Sequence, residues 1–254
     1  MGRFDGRRVV VTGAGRGFGA AIAARFASEG ARVVVSDLDA PAADRTAADI
    51  VAAGGRAVAQ QADVADEAGV AALMARAHSE YGGVDVLVNN AGYSHRGRLL
   101  WKIAVEDFDG VFAVNVRGVF LGCKHVIPMM IEQGGGVIVN IASIGAKAPR
   151  PGMTPYNATK GAVLTLTRGL ALEVAPHNIR VNAVNPVAAD TAFMHGATGR
   201  AEMSDEARAQ LVSTIPRGRL AEPRDIAATV AFLASDDAEF LTGTSIDVDG
   251  GRSI

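Results

Sequence analysis

The 254 residues predict one doubly wound α/β domain, a mainly parallel seven-stranded sheet with helices on both faces. Two observations point there. Short β-branched runs alternate six or seven times with longer helical stretches, the order of a sheet with right-handed crossovers. The runs are apolar at every residue rather than every second one, as in parallel strands covered on both sides. Glycine is also in excess, at 30 residues, where an average chain carries roughly 7%.

Taken in order, Val9–Val11 reads as the first strand, followed by a glycine-rich turn and a helix near 18–29. Val33–Val35 and a helix near 41–53 come next, then a helix near 67–80 and a strand over Val84–Val88. The long helical stretch 104–133 contains Pro128, which lacks a backbone donor and predicts a kink or interruption there. Val137–Ile141, a helix over 156–175, Arg180–Val184, a helix over 223–234 and a last strand Ser245–Val248 complete the pattern. Between Val187 and about Ser204 no periodicity is present, and this segment reads as a lid beside the active site. No repeat or linker divides residues 1–254.

Composition narrows the function. With 49% hydrophobic residues and 25 basic against 27 acidic side chains, the chain is too apolar for disorder and gives no support for nucleic-acid or polybasic membrane binding. The lone Cys123 excludes an internal disulfide framework and any multi-cysteine metal site, and the five histidines lack metal-ligand spacing. No run approaches the roughly 18 consecutive apolar residues of a membrane span, and no signal peptide precedes the first strand. A soluble, cytoplasmic protein is expected.

The first strand runs into Thr12-Gly13-Ala14-Gly15-Arg16-Gly17-Phe18-Gly19 and then a helix. A strand, a glycine loop and a helix N-terminus let backbone amides approach a pyrophosphate with no Cβ in the way. Asp37 ends the second strand 18 residues after Gly19, near the roughly 20 expected of an acid that holds ribose hydroxyls. Its charge would repel a 2′-phosphate by about 4 kcal/mol at ~4 Å and an effective dielectric of ~20, an upper bound. NAD is thus expected rather than NADP. Arg16 argues the other way unless it forms only a surface pair.

These residues resemble the short-chain dehydrogenase/reductase family, whose cofactor motif matches Thr12, Gly13, Gly17 and Gly19. The resemblance extends along the chain. Asp63-Val64 looks like the pair lining the adenine pocket, and Asn89-Asn90-Ala91-Gly92 like the segment after the fourth strand. Asn115 matches the catalytic asparagine; Ser143 and Tyr156-x3-Lys160, with 13 residues from serine to tyrosine, match the active-site signature. Asn185-Pro186, Thr191 and Val248-Asp249-Gly250-Gly251 complete it, although Val187 stands where many members have glycine.

The resemblance implies a Rossmann-type oxidoreductase that interconverts a secondary alcohol and a ketone with NAD. Its catalytic residues are expected at Asn115, Ser143, Tyr156 and Lys160. Cofactor contacts are expected from Gly13, Arg16, Gly17, Phe18, Gly19, Asp37, Leu38, Asp63, Val64, Asn89, Ala91, Gly92, Tyr156, Lys160, Pro186, Val187 and Thr191. By the same likeness, Lys160 binds the nicotinamide ribose, Asn115 positions a relay water and Thr191 the carboxamide. A homotetramer is also implied, built on the 104–133 and 156–175 helices and the C-terminal strand region. An NADPH-dependent 3-oxoacyl-thioester reductase and an inactive nucleotide-binding regulator are the alternatives.

The chemistry can also be argued from residue types. Tyr156 and Lys160, four apart, share a helix face. A phenol with a pKa of ~10 needs a fall of ~3 units, or ~4 kcal/mol, to act as a base near neutrality. One ammonium at ~5 Å supplies about 3 kcal/mol at an effective dielectric of ~20, leaving a shortfall that an oxidised nicotinamide would fill. Ser143 is placed to hydrogen-bond the substrate oxygen. Each residue also has a purely structural reading: Ser143 as a helix cap, Asn115 as a packing asparagine, Asn89-Asn90 as a turn. The substrate pocket falls to Ser94–Trp101, Gly145–Met153 and the 187–204 loop, where Arg96, Arg98 and Arg150 are candidate attractors of an acidic substrate.

Overall fold

The first strand, β1 (Arg8–Thr12), alternates its valines between two cores: Val9 and Val11 face one, Val10 the other, and all three are buried. That double burial is why the strand is continuously apolar. Each such side chain contributes about 1.5–3 kcal/mol on leaving water. In the computed structural model, which describes residues 2–189 and 204–254, β1 lies inside a seven-stranded sheet. Its companions are β2 (Arg32–Asp37), β3 (Arg56–Gln61), β4 (Val86–Asn89), β5 (Gly136–Ile141), β6 (Ile179–Pro186) and β7 (Ser245–Val248). The order is β3-β2-β1-β4-β5-β6-β7, and every pairing is parallel.

Helices α1 (Gly17–Ser28), α2 (Ala40–Ala52) and α8 (Pro223–Ala234) build the first core, with Ile22, Phe26, Ala43, Ile50, Ile226 and Val230 against the sheet. Helices α3 (Glu67–Tyr81), α5 (Gly118–Glu132) and α6 (Thr154–Val174) build the second through Leu73, Leu121, Val126 and Val163. A short helix α4 (Val105–Phe112) precedes α5, and α7 (Asp205–Val212) precedes α8. Asp39 and Asp66 cap α2 and α3 by accepting from Ala42 and Gly69 N–H, and Gly82 closes α3 in the left-handed conformation at φ 83°. The chain reverses its winding between β1 and β4. Open α/β sheets bind ligands at such a switch point, beyond the carboxyl ends of the strands.

Three expectations needed correction. The sequence runs omit β3, an edge strand whose residues are only partly buried and therefore lack a continuous apolar signature. The polar helix α7, which buries no residue, was likewise outside the pattern. Pro128 sits inside α5 and does not break it; the irregularity is a π-helical turn over Ala113–Arg117, between α4 and α5. The 28-residue run Val105–Glu132 is the one helical stretch among the described residues long and apolar enough to cross a membrane. Val111, Val119, Leu121, Val126 and Met130 spend that apolarity on the protein interior.

Candidate active site

The carboxyl ends of β1, β2, β4, β5 and β6 lie along one edge of the sheet, and the sequence-predicted residues that are described gather there. After β1 the loop turns on Gly13 and Gly17, both at positive φ (61° and 59°), a conformation that L side chains rarely adopt. A Cβ on Gly13 would stand 2.7 Å from Ala91 Cα, and one on Gly19 would collide with the Gly13 carbonyl. Arg16 precedes α1 without capping it, and the first turn holds no acidic residue. The α1 N-terminus, at Gly17, Phe18 and Gly19, therefore presents amides with no carboxylate of their own.

Asp37 ends β2 beside this loop. One of its oxygens accepts from Gly15 N at 2.8 Å and the other from Asp39 N at 3.0 Å. Arg16 pairs instead with Asp39 at 2.9 Å, on the surface. Leu38 follows, 64% exposed, its carbonyl held by Gln61 Nε2. Beyond β3, Asp63 accepts from Ala65 N, and Val64 packs where a Gly118 Cβ would otherwise stand, at 3.0 Å.

At the end of β4 two adjacent asparagines part company. Asn90 Nδ2 donates to the Thr12 and Gly13 carbonyls at 2.8 and 2.9 Å. The Thr12 hydroxyl accepts from the Asn90 and Ala91 amides, both at 3.1 Å, so the glycine loop is tied to β4. Asn89, also expected at the cofactor, turns its side chain inward. Its side chain is buried toward α5 and β5, donating to Asn140 Oδ1 at 2.9 Å, and that amide donates on to Thr167.

The π-turn places Asn115 deep inside, fully buried. Its Oδ1 accepts from Tyr93 N at 2.8 Å, and its Nδ2 donates to Tyr93 O at 2.9 Å and Thr159 Oγ1 at 3.0 Å. The amide thus clamps the segment after Gly92 to α6. Gly92 lies in the same corner: a Cβ there would be 3.6 Å from Asn115 Oδ1 and 3.8 Å from Lys160 Nζ.

Tyr156 and Lys160 stand on the first turns of α6. Lys160 Nζ donates to the Ile141 carbonyl at 2.8 Å and lies 5.7 Å from the centroid of the Tyr156 ring. Ser143 follows β5, accepts from Gly145 N at 3.0 Å and shares a hydrogen bond with Tyr156 that favours the phenolate. The electrostatic outcome reverses the expected sign. Burial pushes the Tyr156 phenol up to about 12, despite the opposing Ser143 bond and the Arg150 charge. Burial also brings Lys160 down to about 8. Desolvation disfavours the charged form of both groups.

Pro186 ends β6. Val187 packs with Ile144, Ile215 and Leu220, while its N–H reaches Val248 O at 3.2 Å. Among the described residues only Asn178 has a positive φ without being glycine, so valine is accommodated here without strain. Thr191 and residues 190–203 of the expected lid lie outside the described residues.

The arrangement can be set beside known proteins. A family model described as enoyl-(acyl carrier protein) reductase matches residues 13–253. A 4-formylbenzenesulfonate dehydrogenase of Comamonas testosteroni is 45% identical over 96% of this chain and 97% of its own. A cis-4-hydroxycyclohexanecarboxylate dehydrogenase of Sinomonas cyclohexanicum is 42% identical over 98% and 97%. The crystal structure of a 3-ketoacyl-(acyl-carrier-protein) reductase from Brucella melitensis, complexed with NADH, superposes with a TM-score of 0.92 at 44% identity, covering 99% of this chain and all of the other.

The chain belongs to the short-chain dehydrogenase/reductase family. In this short-chain dehydrogenase/reductase, several residues that were given no role of their own in the sequence are supports. Thr12, Asn90, Tyr93 and Thr159 hold the glycine loop, β4 and α6 together, and Asn157 holds the Arg150 carbonyl at 3.2 Å. Only the glycine motif, through Thr12, and the Asn-Asn pair signalled any of them. Among the described residues no group of three His, Cys, Asp or Glu could hold a metal ion.

Proposed function

We propose that the chain is an NAD(H)-dependent dehydrogenase/reductase that interconverts a secondary alcohol and a ketone, with Tyr156 as the acid/base. The observation that carries this is the convergence of Ser143, Tyr156 and Lys160 beside the glycine loop: serine bonded to the phenol, lysine 5.7 Å from its ring.

The residues present fit the dinucleotide. The α1 N-terminus with Gly13, Gly17 and Gly19 suits the pyrophosphate, Asp37 the adenosine ribose hydroxyls, Leu38, Asp63 and Val64 the adenine, and Lys160 the nicotinamide ribose. Gly92, Ala91, Pro186, Val187 and Thr191 remain assigned to the nicotinamide end, through backbone in the case of Val187. Arg16 is engaged by Asp39, which supports NAD over NADP. When bound, the dinucleotide would supply the hydride acceptor or donor and, oxidised, a positive charge.

Tyr156 Oη gives its proton to the carbonyl oxygen during reduction and takes the hydroxyl proton during oxidation. At a pKa of about 12 the phenol is protonated at neutral pH, ready to act as the acid. Ser143 Oγ donates to the same substrate oxygen as charge develops on it. Asn115 holds the neighbouring backbone, and a relay water is assigned to this turn rather than to its engaged amide.

A 3-oxoacyl-thioester reductase is the second reading, favoured by the name of the Brucella protein. A non-catalytic regulator would not need the assembled Ser143, Tyr156 and Lys160. The two curated relatives act, by name, on compounds bearing a sulfonate or a carboxylate. A homotetramer is supported by apolar side chains left open on the expected faces, among them Phe120, Leu172 and Phe240. Oxidation of alcohols and reduction of ketones, assayed with NAD(H) and NADP(H), test the reading; no turnover of any pair would remove it.

A further inference from the structure

We propose that Arg150 recognises an anion in the substrate pocket, so that the preferred substrate is a secondary alcohol or ketone bearing a carboxylate or sulfonate away from the reacting carbon. The inference rests on the dehydrogenase reading above and names its substrate class.

Arg150 lies six residues before Tyr156, on the strap between β5 and α6. Its carbonyl accepts from Met153 N at 3.3 Å and Asn157 Nδ2 at 3.2 Å, which pins the backbone to the start of α6. The same strap meets the loop after β4, where Arg98 N donates to Gly152 O at 3.0 Å. The Arg150 backbone is therefore fixed just ahead of α6, and its charge bears on the Tyr156 phenol.

Its charge has no carboxylate partner among the described residues. Arg3, Arg8, Arg16 and Arg219 are each paired with a carboxylate, Glu29, Asp85, Asp39 and Asp225 respectively. Arg150 is half-buried, yet among the described residues no carboxylate lies within ion-pair distance of it. The charged group that bears on it most is another cation, Arg252, and the next is the Tyr156 phenol. Burial and Arg252 together lower its pKa. A guanidinium drawn partly out of water beside a like charge gains most from an anion, and its planar fork suits carboxylate or sulfonate oxygens.

The test uses the full chain and matched series of hydroxyalkyl and hydroxycyclohexyl alcohols, each as carboxylate, sulfonate and neutral amide. The wild type should favour one anion over the amide by at least tenfold in kcat/KM. Arg150→Met should lower that anion-to-amide ratio at least tenfold, and Arg150→Lys should retain part of it. A ratio near one across every series overturns the proposal, as does a ratio that Arg150→Met leaves unmoved, since a structural role would depress both substrates alike. Calorimetric binding of cyclohexanecarboxylate, benzenesulfonate and cyclohexanecarboxamide, with NADH present, does not depend on turnover. There, an anion bound no tighter than the amide overturns the proposal, whereas anion binding with no turnover of any alcohol sinks only the dehydrogenase reading.

Discussion

Lys160 holds its ammonium 5.7 Å from the centre of the Tyr156 ring while donating to the Ile141 carbonyl, so one cation spans the end of β5 and the reactive phenol. Neither group is at its ordinary pKa: the phenol is raised to about 12 and the amine lowered to about 8, both by burial. The free chain thus stores an acid rather than a base.

Removing that acid should remove turnover. Tyr156→Phe keeps the ring and loses the proton, and kcat should fall on the order of 10²–10⁴-fold. NADH affinity, read by fluorescence titration, should stay within about threefold. Retained turnover would mean that another group moves the proton.

The lowered Lys160 pKa makes stability depend on pH. The folded amine titrates near 8 and the unfolded one near 10.5, so between those values the unfolded chain binds more protons and stability rises with pH. Lys160→Met lacks this dependence. Denaturant unfolding from pH 7 to pH 10 should show wild type gaining on the variant, by up to about 3 kcal/mol over the whole interval. The raised Tyr156 pKa acts oppositely, from about 10 upward, and is common to both proteins.

Asp37 should govern the choice of dinucleotide. Asp37→Ser removes the repulsion of a 2′-phosphate, and Asp39→Asn frees Arg16 from its 2.9 Å partner to meet one. The double variant should raise the NADP-to-NAD ratio of kcat/KM at least about tenfold, equivalent to ~1.4 kcal/mol. A wild type that already prefers NADP would contradict the assignment.

The Asn115 clamp should matter for folding as well as rate. Asn115→Leu leaves the Tyr93 N–H and carbonyl without their partner, while the Thr159 hydroxyl keeps only its bond to the Tyr156 carbonyl. Stranded polar groups cost about 1–3 kcal/mol each, so unfolding should become easier by at least about 2 kcal/mol. Thr159→Val, which strands fewer groups, should cost less in the same denaturation assay.

Much of the site could be read because its signals are local. The glycine loop follows directly on β1, Asp37 ends a run of valines, and Tyr156 and Lys160 are one helical turn apart. Asn89 and Asn90 could not be told apart, because strand alternation sends one into the interior and the other toward the glycine loop. The edge strand β3 escaped notice because partial burial requires no unbroken apolar run.

Residue order by itself determined the winding of the sheet, the family and which side chains meet at its carboxyl edge, since helix and strand periods and glycine turns act over a few residues. Only the tertiary structure decided their states. Asn115 finds partners 22 and 44 residues away, and Val187 belongs to a core completed by Ile215 and Leu220. The proton on Tyr156 depends on how much protein surrounds it, and among the described residues no carboxylate folds back to Arg150. Desolvation and long-range hydrogen bonds come from atoms far apart in the chain, so no local pattern encodes them.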